Sequence, residues 1–403
     1  MKKLNLFFVI FSFLGGSCHP DPQKATITDD TVIDVSKDYP KKSIKFQDIA
    51  DVEYVPLETN DSVLIDRYFK ISHISDNNIV VANRRQGDIF IFGRNGKIKY
   101  RFNHRGPGPE EYSSALCVVF DEKNKEVFVY TQRVTSFFLV YSEDGKYKRT
   151  IKGPFSPYGQ IVIKQFDDDY LLVYEEVPVE GISSPKPYTF ISKKDGTEIS
   201  LDITLPQRYP YREITIMYRE PEGRGIGVTS LPSSFVYHNN WHDDQNFIIS
   251  DISCDTVFQL RRDKSLTPLL RRTPSVHQTN PKVFLASLLK TEKYMLLYRM
   301  KMMPEGGDPQ SYAPVTLMYD FSTKEIHEVG RNDSFFVNDD LLRGNDFLFR
   351  LDTEATVPKN TLVFWEGAGY LCDIQNYTQG KLKETVSTLD REDNPVLMIA
   401  TFR

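Results

Sequence analysis

The sequence predicts an all-β protein, a six-bladed β-propeller, on three observations. Short runs rich in Val, Ile, Phe and Tyr alternate with Asn, Asp and Gly turns, and helical periodicity is nearly absent. A unit of strand, tight turn and strand recurs along the chain. Its first three turn glycines, Gly96, Gly145 and Gly196, lie about fifty residues apart, a period typical of propeller blades.

Each recurring hairpin supplies the outer half of a blade, because two further strands precede it. In the first unit these two strands are residues 69–74 and 79–82, so four antiparallel strands make one blade. The Asn-Gly and Asp-Gly turns tolerate positive φ and favour tight hairpins. The hairpins begin at Ile89, Phe137, Tyr188, Val257 and Thr316.

The sixth blade needs both ends of the chain. The C-terminal segment supplies three strands, at residues 347–351, 361–365 and 395–402, and the N-terminal strand at 52–57 is left over. Pairing this strand with the last one would close the ring and remove two exposed edges. We therefore predict one propeller domain over residues 45–403, closed by the N-terminal strand. A helical insertion at 373–389 is expected to cover the channel mouth.

The N-terminus is typical of an exported protein. Lys2 and Lys3 precede an apolar run that is too short to cross a bilayer of roughly 30 Å as a helix, which indicates a signal peptide over residues 1–17. The stretch resembles a bacterial lipoprotein signal, which implies that lipid is attached to Cys18. Plain secretion is the alternative. The polar residues 18–44 predict a flexible tether.

Composition limits the partners of this chain. There are 50 basic and 55 acidic residues, so no overall field favours nucleic acid. No second apolar run approaches the length of a membrane span, so we expect contact with a membrane through the lipid anchor only. The spacing of Cys117, Cys254 and Cys372 contains no CxxC motif. We therefore expect no disulfide framework, no metal and no cofactor. We expect a monomer.

Three segments resemble the six-bladed β-propeller lipoproteins of Bacteroidetes, which are related at the level of fold to NHL-repeat propellers. The segments are DVEYVPLET at 51–59, RGPGPEEY at 105–112 and DNPVLMIATFR at 393–403. The resemblance covers essentially the whole mature chain. It implies an outer membrane lipoprotein that faces the periplasm or the cell surface, and it implies no general biochemical activity.

Blade geometry sorts the loops onto two faces. Loops between the second and third strands lie on the same face as the connections between blades, and the long loops of this sequence all fall there. Arg and Tyr, which suit planar polar recognition, are frequent in them. We predict that this long-loop face binds a glycan or a protein partner. The candidate contacts are Arg84, Arg85, His104, Arg105, Glu111, Arg133, Tyr209 and Arg212.

Two alternatives stay open for these residues. RGPGPEEY is also suited to an irregular crossover between blades, since Gly supplies unusual φ and Pro removes a donor. An enzyme, either a lyase or a hydrolase with its site at the same channel mouth, is a second function class. No GxSxG or HExxH motif occurs, and His73, on an expected innermost strand, is the nearest catalytic candidate. A purely structural envelope protein is the third class, because propellers host several kinds of function.

Overall fold

The architecture comes from a computed structural model. It describes residues 31–132, 135–154, 161–175, 184–209, 215–219, 226–230, 234–239, 246–301, 315–329, 337–342, 350–352 and 355–403. Within these ranges, residues 215–219, 226–230, 234–239 and 246 are described by their backbone alone. Six of the sheets have four antiparallel strands as their basic unit and follow one another as the blades of a propeller, which confirms the predicted fold.

The described chain begins with four short elements that complete later blades. They are strands β1 (Val32–Asp34) and β2 (Lys41–Lys42), helix α1 (Phe46–Ile49) and strand β3 (Ala50–Pro56).

Blades 1 to 3 then follow in sequence order, and each has its first strand innermost. Blade 1 consists of β4 (Lys70–Ile74), β5 (Asn78–Ala82), β6 (Asp88–Gly93) and β7 (Ile98–Asn103). Blade 2 consists of β8 (Cys117–Asp121), β9 (Glu126–Gln132), β10 (Ser136–Ser142) and β11 (Tyr147–Lys152). Blade 3 consists of β12 (Ile161–Gln165), β13 (Tyr170–Glu175), β14 (Tyr188–Ser192) and β15 (Glu198–Ser200).

A separate two-stranded hairpin precedes blade 4 and is formed by β16 (Thr215–Arg219) and β17 (Ile226–Ser230). Blade 4 consists of β18 (Ser234–Asn239), β19 (Asn246–Asp251), β20 (Thr256–Leu260) and β21 (Leu266–Thr273). Blade 5 consists of β22 (Val283–Lys290), β23 (Tyr294–Lys301), β24 (Val315–Asp320) and β25 (Ile326–Val329). Blade 6 has β26 (Arg350–Asp352), β27 (Thr361–Glu366) and β28 (Val396–Phe402) from the C-terminus.

The ring closes as the sequence predicts. Strand β3 pairs antiparallel with β28 from Ala50 opposite Phe402 to Pro56 opposite Val396, and so becomes the outer strand of blade 6. Closure joins the two ends of the ring through main-chain hydrogen bonds, which leaves no broken blade to expose an edge at the junction.

The C-terminal part of the predicted tether, residues 31–44, is different from expectation. Strand β1 pairs in parallel with β21 of blade 4, and β2 pairs in parallel with β25 of blade 5. Ile33 and Val35 are fully buried, and the Arg299 guanidinium binds the Lys37 carbonyl and, at 2.8 Å, Glu328. The prediction of a flexible tether is therefore wrong for residues 31–44. Residues 1–30, with the predicted signal peptide and Cys18, lie outside the described ranges.

The hydrophobic core lies between neighbouring blades. In β5, Ile79 and Val81 pack with Leu397 of blade 6, whereas Val80 packs with Val118 of blade 2. Strand side chains alternate between the two faces of a sheet, so each blade must be apolar on both faces. This explains why the strands appear in the sequence as continuous apolar runs.

The repeated turn glycine is required by contacts between blades. Gly96, Gly145 and Gly196 have φ of +77°, +85° and +76°, which confirms the predicted turn conformation. A Cβ at Gly145 would lie 2.6 Å from Cβ of Phe102, in the outer strand of the preceding blade. A Cβ at Gly196, in blade 3, would lie 2.4 Å from the Lys152 carbonyl oxygen, in the outer strand of blade 2. The glycine therefore lets each outer hairpin press against the blade before it.

The helical insertion lies between β27 and β28 and contains α2 (Ala368–Asp373), a 3-10 turn (Gln375–Tyr377) and α3 (Gly380–Val386). Leu371 and Leu382 are fully buried in a cluster with Phe364 of blade 6, and the Lys381 ammonium donates to the Val52 carbonyl of β3 at 3.1 Å. The insertion thus packs at the outer strand of blade 6. The expectation that it covers the channel mouth is wrong. No helix in the described ranges is long and apolar enough to span a bilayer.

Candidate functional site

Three segments of blade 1 meet on the long-loop face. Lys70, at the start of β4, pairs with Ala82, at the end of β5, and Asp88 pairs with Asn103. The connection before β4, the loop 83–87 and the connection after β7 therefore leave the blade at the same end. This register brings Arg84, Arg85 and Arg105 of the predicted set to one end of one blade.

An exposed tyrosine organises part of this surface. Tyr68 is 45% exposed, and the guanidinium carbons of Arg67 and Arg85 lie 4.5 and 4.4 Å from the centroid of its ring. Arg67 also donates a hydrogen bond to the Tyr68 hydroxyl. Cation–π contacts of this kind hold a guanidinium plane against a ring and leave N–H groups at its edge.

Gly87 brings a further arginine to the same place. A Cβ at Gly87, which has φ of +88°, would lie 2.9 Å from Cβ of Arg105. Arg105 is exposed, and its Nε–H donates a hydrogen bond to the Ser113 carbonyl at 3.3 Å. Arg84 is half-buried and lies in the loop that leads to Gly87. We refer to Arg67, Arg84, Arg85 and Arg105 as the blade-1 arginine cluster.

The four arginines of the cluster make no ion pair with any residue in the described part of the chain. Elsewhere in those ranges arginines usually have an acidic partner, as in the pairs Arg101 with Asp88 and Arg149 with Glu126. Two acids close to the cluster in sequence bind backbone N–H groups instead. Asp66 accepts from the Tyr68 N–H at 2.6 Å, and Glu111 accepts from the Gly108 N–H at 2.8 Å. The cluster is therefore a local concentration of positive charge with hydrogen-bond donors.

The RGPGPEEY segment forms the frame beneath the cluster. The Tyr112 hydroxyl donates to the Gly87 carbonyl at 2.6 Å and accepts from the His104 N–H at 3.0 Å. The His104 ring stacks on Tyr141, with centroids 4.9 Å apart, and its Nε2 donates to the Gly145 carbonyl at 2.7 Å. His104 and Glu111 thus have structural partners, whereas Arg105 of the same segment is exposed.

Tyr209 lies at a different junction of the ring. Its N–H donates to Ser253 Oγ at 2.9 Å, its hydroxyl lies 3.1 Å from His277 Nδ1, and its ring packs against Phe284. Tyr209 is 8% exposed and joins blades 4 and 5. The structure does not bring it to the blade-1 cluster. Arg133 and Arg212 lie outside the described residues.

The neighbouring Arg208 is a buried tie between blades 3 and 4. Its guanidinium donates to the carbonyls of Glu175 and Ser184 and, at 3.0 Å, to the Tyr174 hydroxyl. That hydroxyl donates to Asp251 at 3.1 Å. Burial raises the pKa of Asp251, although the charge of Arg208 and the Ser253 N–H act in the opposite direction. The network is directed inward, so we assign it to the stability of the propeller.

Blade 6 adds aromatic and basic groups beside the cluster. Trp365 contacts Phe69, the residue after Tyr68, with ring centroids 4.7 Å apart. The Arg350 guanidinium carbon lies 4.9 Å from the Trp365 ring, and Arg350 Nε lies 3.9 Å from Glu366. Burial raises the pKa of Glu366, although the hydrogen bond from the Gly367 N–H and the charge of Arg350 act in the opposite direction.

Sequence reasoning missed Arg67, Tyr68, Arg350 and Trp365. A usable signal existed for the first two, because the connection 57–69 enters a blade and therefore belongs to the long-loop face under the same sorting rule. No comparable signal existed for Arg350 and Trp365, since their approach to Phe69 depends on the closure of the ring.

The histidine considered for catalysis is packed between blades. His73 is fully buried, its ring edge meets Phe120 at 5.3 Å, and its Nε2 lies 3.4 Å from Glu122. Burial alone would raise the pKa of Glu122, but hydrogen bonds from His73, Ser75 and Asn78 outweigh burial and lower it to about 2. In the described ranges no three His, Cys, Asp or Glu residues are arranged to hold a metal ion. Among the described residues, Cys117, Cys254 and Cys372 form no disulfide, and burial raises the pKa of Cys254 to about 12.

Comparison with known proteins concerns mainly the fold. The profile of a family described as a domain of unknown function, DUF4934, matches residues 30–401. None of the curated proteins matches the sequence. A Bacteroides fragilis structure named as an exported protein has a TM-score of 0.64 and 16% identity, over 93% of this chain and 100% of that one.

Two further structures are more distant. A member of the DUF4221 family from Bacteroides vulgatus has a TM-score of 0.42 and 12% identity, over 88% of this chain and 97% of that one. Virginiamycin B lyase from Staphylococcus aureus has a TM-score of 0.38 and 11% identity, over 87% of this chain and 99% of that one. At these identities the likeness to solved structures speaks to the fold alone.

Proposed function

The chain belongs to the DUF4934 family, and from this premise we propose that it is an exported, lipid-anchored binding protein of the outer membrane. Its propeller acts as a binding or scaffold module, and the long-loop face of blade 1 carries the binding surface. The ligand is an anionic glycan or an envelope protein that presents acidic groups. Export is supported by the charged and apolar start of the sequence and by the Bacteroides fragilis relative named as exported.

The observation that carries the proposal is the blade-1 arginine cluster. Two guanidinium groups, those of Arg67 and Arg85, lie over the exposed Tyr68, and Arg84 and Arg105 lie in the loops at the same end of blade 1. None of the four has an acidic partner in the described ranges. Water solvates these exposed guanidinium groups, so they need no acidic partner in the protein and can present their N–H donors to a negatively charged ligand. Arginine is suited to carboxylate, sulfate and phosphate groups, because its planar fork donates two parallel hydrogen bonds.

Anchoring is the second part of the proposal. A lipid on Cys18 would hold the domain at a membrane without any membrane-spanning segment. Growth with a radiolabelled fatty acid tests this, with a Cys18→Ala variant as the control. We expect label in the parent and none in the variant, and equal labelling of both would refute attachment at Cys18.

The binding surface is tested by a glycan-array and pull-down screen. The full chain with Cys18→Ser serves as soluble parent. The test variant carries Arg67→Ala, Arg84→Ala, Arg85→Ala and Arg105→Ala. A matched variant carries the same loss of charge at four arginines that have acidic partners: Arg94, Arg101, Arg391 and Arg403.

We expect the test variant to lose the interactions of the parent and the matched variant to keep them. Circular dichroism and thermal melting of all three proteins establish that each is folded. If the test variant is folded and keeps every interaction of the parent, the proposed binding surface is wrong.

A further inference from the structure

We infer that the blade-1 arginine cluster is one part of a protein-docking surface, and that the exposed apolar pair Leu64 and Tyr68 is the other part. The partner is an acidic segment of another protein that also carries apolar side chains. This assignment rests on the proposed function and adds the class of the ligand. Its basis is the connection 57–69, which leads from the outer strand of blade 6 to the inner strand of blade 1.

Two large apolar side chains of this connection lie in solvent beside the arginines. Leu64 is 58% exposed and Tyr68 is 45% exposed, and Arg67 between them is also exposed. The four peptide units from Leu64 to Tyr68 span at most about 14 Å, so one short segment of a partner reaches both side chains. Single exposed apolar residues are ordinary on a protein surface. An apolar pair that adjoins arginines is typical of the centre of a protein interface.

The connection is held firmly by buried asparagine side chains. Asn394, which is 4% exposed, accepts from the Ile65 N–H at 2.8 Å. The same amide donates to the carbonyls of Glu58 and Val63 at 2.7 and 2.8 Å. Val63 itself is buried between blades 1 and 6. The main chain on the N-terminal side of Leu64 is therefore fixed to blade 6.

Asn83 joins the connection to the loop that carries Arg85. Asn83 is 2% exposed, and its amide accepts from the Asp66 N–H at 3.0 Å and donates to the Leu64 carbonyl at 2.9 Å. Its own carbonyl accepts from the Gly87 N–H at 2.7 Å. The apolar and the basic parts of the surface are thus held in one arrangement before a partner arrives, so binding loses little conformational entropy.

A protein segment suits this surface better than a glycan does. The guanidinium groups of Arg67 and Arg85 lie over the Tyr68 ring, so a sugar that stacks on this ring competes with them. The Leu64 side chain has no hydrogen-bonding group for a sugar hydroxyl, whereas it removes an apolar side chain of a protein from water. Asp or Glu of the same segment accepts hydrogen bonds from the guanidinium edges.

Peptide selection against the soluble full chain tests the assignment. The probe is a display library of random peptides about twelve residues long, which is enough to pass both apolar side chains. We expect the enriched peptides to combine Asp or Glu with apolar residues within about five positions, and their affinity to fall as salt rises. Enrichment of neutral or basic peptides, or no enrichment, would overturn the assignment.

Variants of the apolar pair test its contribution with the enriched peptides in calorimetry. Tyr68→Ser should weaken binding at least about tenfold, and Leu64→Ser about fivefold. Tyr100→Ser and Ile199→Ser are the matched controls, because these side chains are 37% and 40% exposed on the outer strands of blades 1 and 3. Both controls should bind as the parent does. Circular dichroism establishes that each variant is folded.

The results separate this docking surface from the proposed function. If the Leu64 and Tyr68 variants bind the peptides as the parent does, while the four-arginine variant does not, the apolar part is wrong and the proposed function stands. If no peptide is enriched but a glycan binds the parent and not the four-arginine variant, the protein partner is wrong and the proposed function stands. If the four-arginine variant keeps every peptide and every glycan that the parent binds, both are wrong.

Discussion

Two Arg-Tyr pairs, Arg67-Tyr68 and Arg208-Tyr209, occupy comparable places in the chain, each in a connection that leads towards a new blade. Tyr68 is 45% exposed, whereas Arg208 and Tyr209 are 5% and 8% exposed. Arg208 donates hydrogen bonds to two backbone carbonyls and to the Tyr174 hydroxyl. Arg67 donates a hydrogen bond to the hydroxyl of the neighbouring Tyr68.

The difference shows that residue type does not determine role on this face. A buried guanidinium is costly unless most of its donors are satisfied. The terminal nitrogens of Arg208 donate to two carbonyls and the Tyr174 hydroxyl, and only its Nε has no acceptor in the described ranges, so its donors are not available to a ligand. An exposed guanidinium is solvated and needs no protein partner, so Arg67 and Arg85 remain accessible. Arg208-Tyr209 joins blades, whereas Arg67-Tyr68 forms part of the proposed binding surface.

The largest expected effect comes from breaking the buried pair. Arg208→Ala leaves two carbonyls and the Tyr174 hydroxyl oxygen without their donor and removes the positive charge near the buried Asp251. It should reduce the free energy of unfolding by about 3–5 kcal/mol. Arg67→Ala should change it by less than about 0.5 kcal/mol. Urea denaturation of both variants measures the contrast. Equal losses would show that the two dipeptides have the same structural role.

The contact of a turn glycine with the preceding blade should be nearly as sensitive. Gly145→Ala forces an L residue into positive φ and against Phe102, and should cost about 2–3 kcal/mol of unfolding free energy. Gly367→Ala is the matched control, because Gly367 has φ of −72° and no atom within 4 Å of an added Cβ. Thermal melting compares the two. A Gly145→Ala protein as stable as the control would contradict the inter-blade role of the turn glycine.

The hydroxyl groups of the two tyrosines sharpen the comparison at a smaller scale. Tyr209→Phe removes the contact with His277 and should cost about 1 kcal/mol of stability. Tyr68→Phe should leave stability unchanged within error, because its hydroxyl is at the surface. The same urea titrations measure both changes. If Tyr68→Phe loses more stability than Tyr209→Phe, the assignment of Tyr209 to the junction between blades and of Tyr68 to the surface is wrong.

The remaining prediction is a change in pH dependence. The pKa of Glu122 is lowered from 4.5 to about 2, so its bonds to His73 and Asn78 stabilise the fold above pH 4.5 and are lost as pH falls towards 2. The stability difference between the parent and Glu122→Gln should therefore narrow over that interval. Denaturation at a series of pH values measures it. The four-arginine variant should follow the parent, since arginine does not titrate there.

Several parts of the fold were accessible from the sequence because they depend on local patterns. The turn glycines at 96, 145 and 196 mark the outer hairpins, and the strand count left the N-terminal strand to complete blade 6. The pairing of β1 and β2 with blades 4 and 5 was not accessible, because parallel addition to an outer edge involves strands of only three and two residues. Such short strands carry no periodic signal.

The candidate site was accessible only in part. Sorting loops by blade geometry led to Arg84, Arg85 and Arg105, and the structure brings these to one end of blade 1. The same rule also selected His104, Glu111 and Tyr209, which have structural partners. Burial and hydrogen bonding separate the two groups, and both depend on residues far away in the chain.

By itself, the sequence determined the architecture of this protein: six blades, four antiparallel strands in each, and closure by the N-terminal strand. These follow from apolar runs, turn chemistry and the need to pair every edge, which act over a few residues or one repeat. Only the tertiary structure decided which arginines face solvent, where the helices pack and how blade 6 meets blade 1. Those features depend on contacts between blades, because burial and the supply of acceptors are properties of the assembled ring and of no single segment.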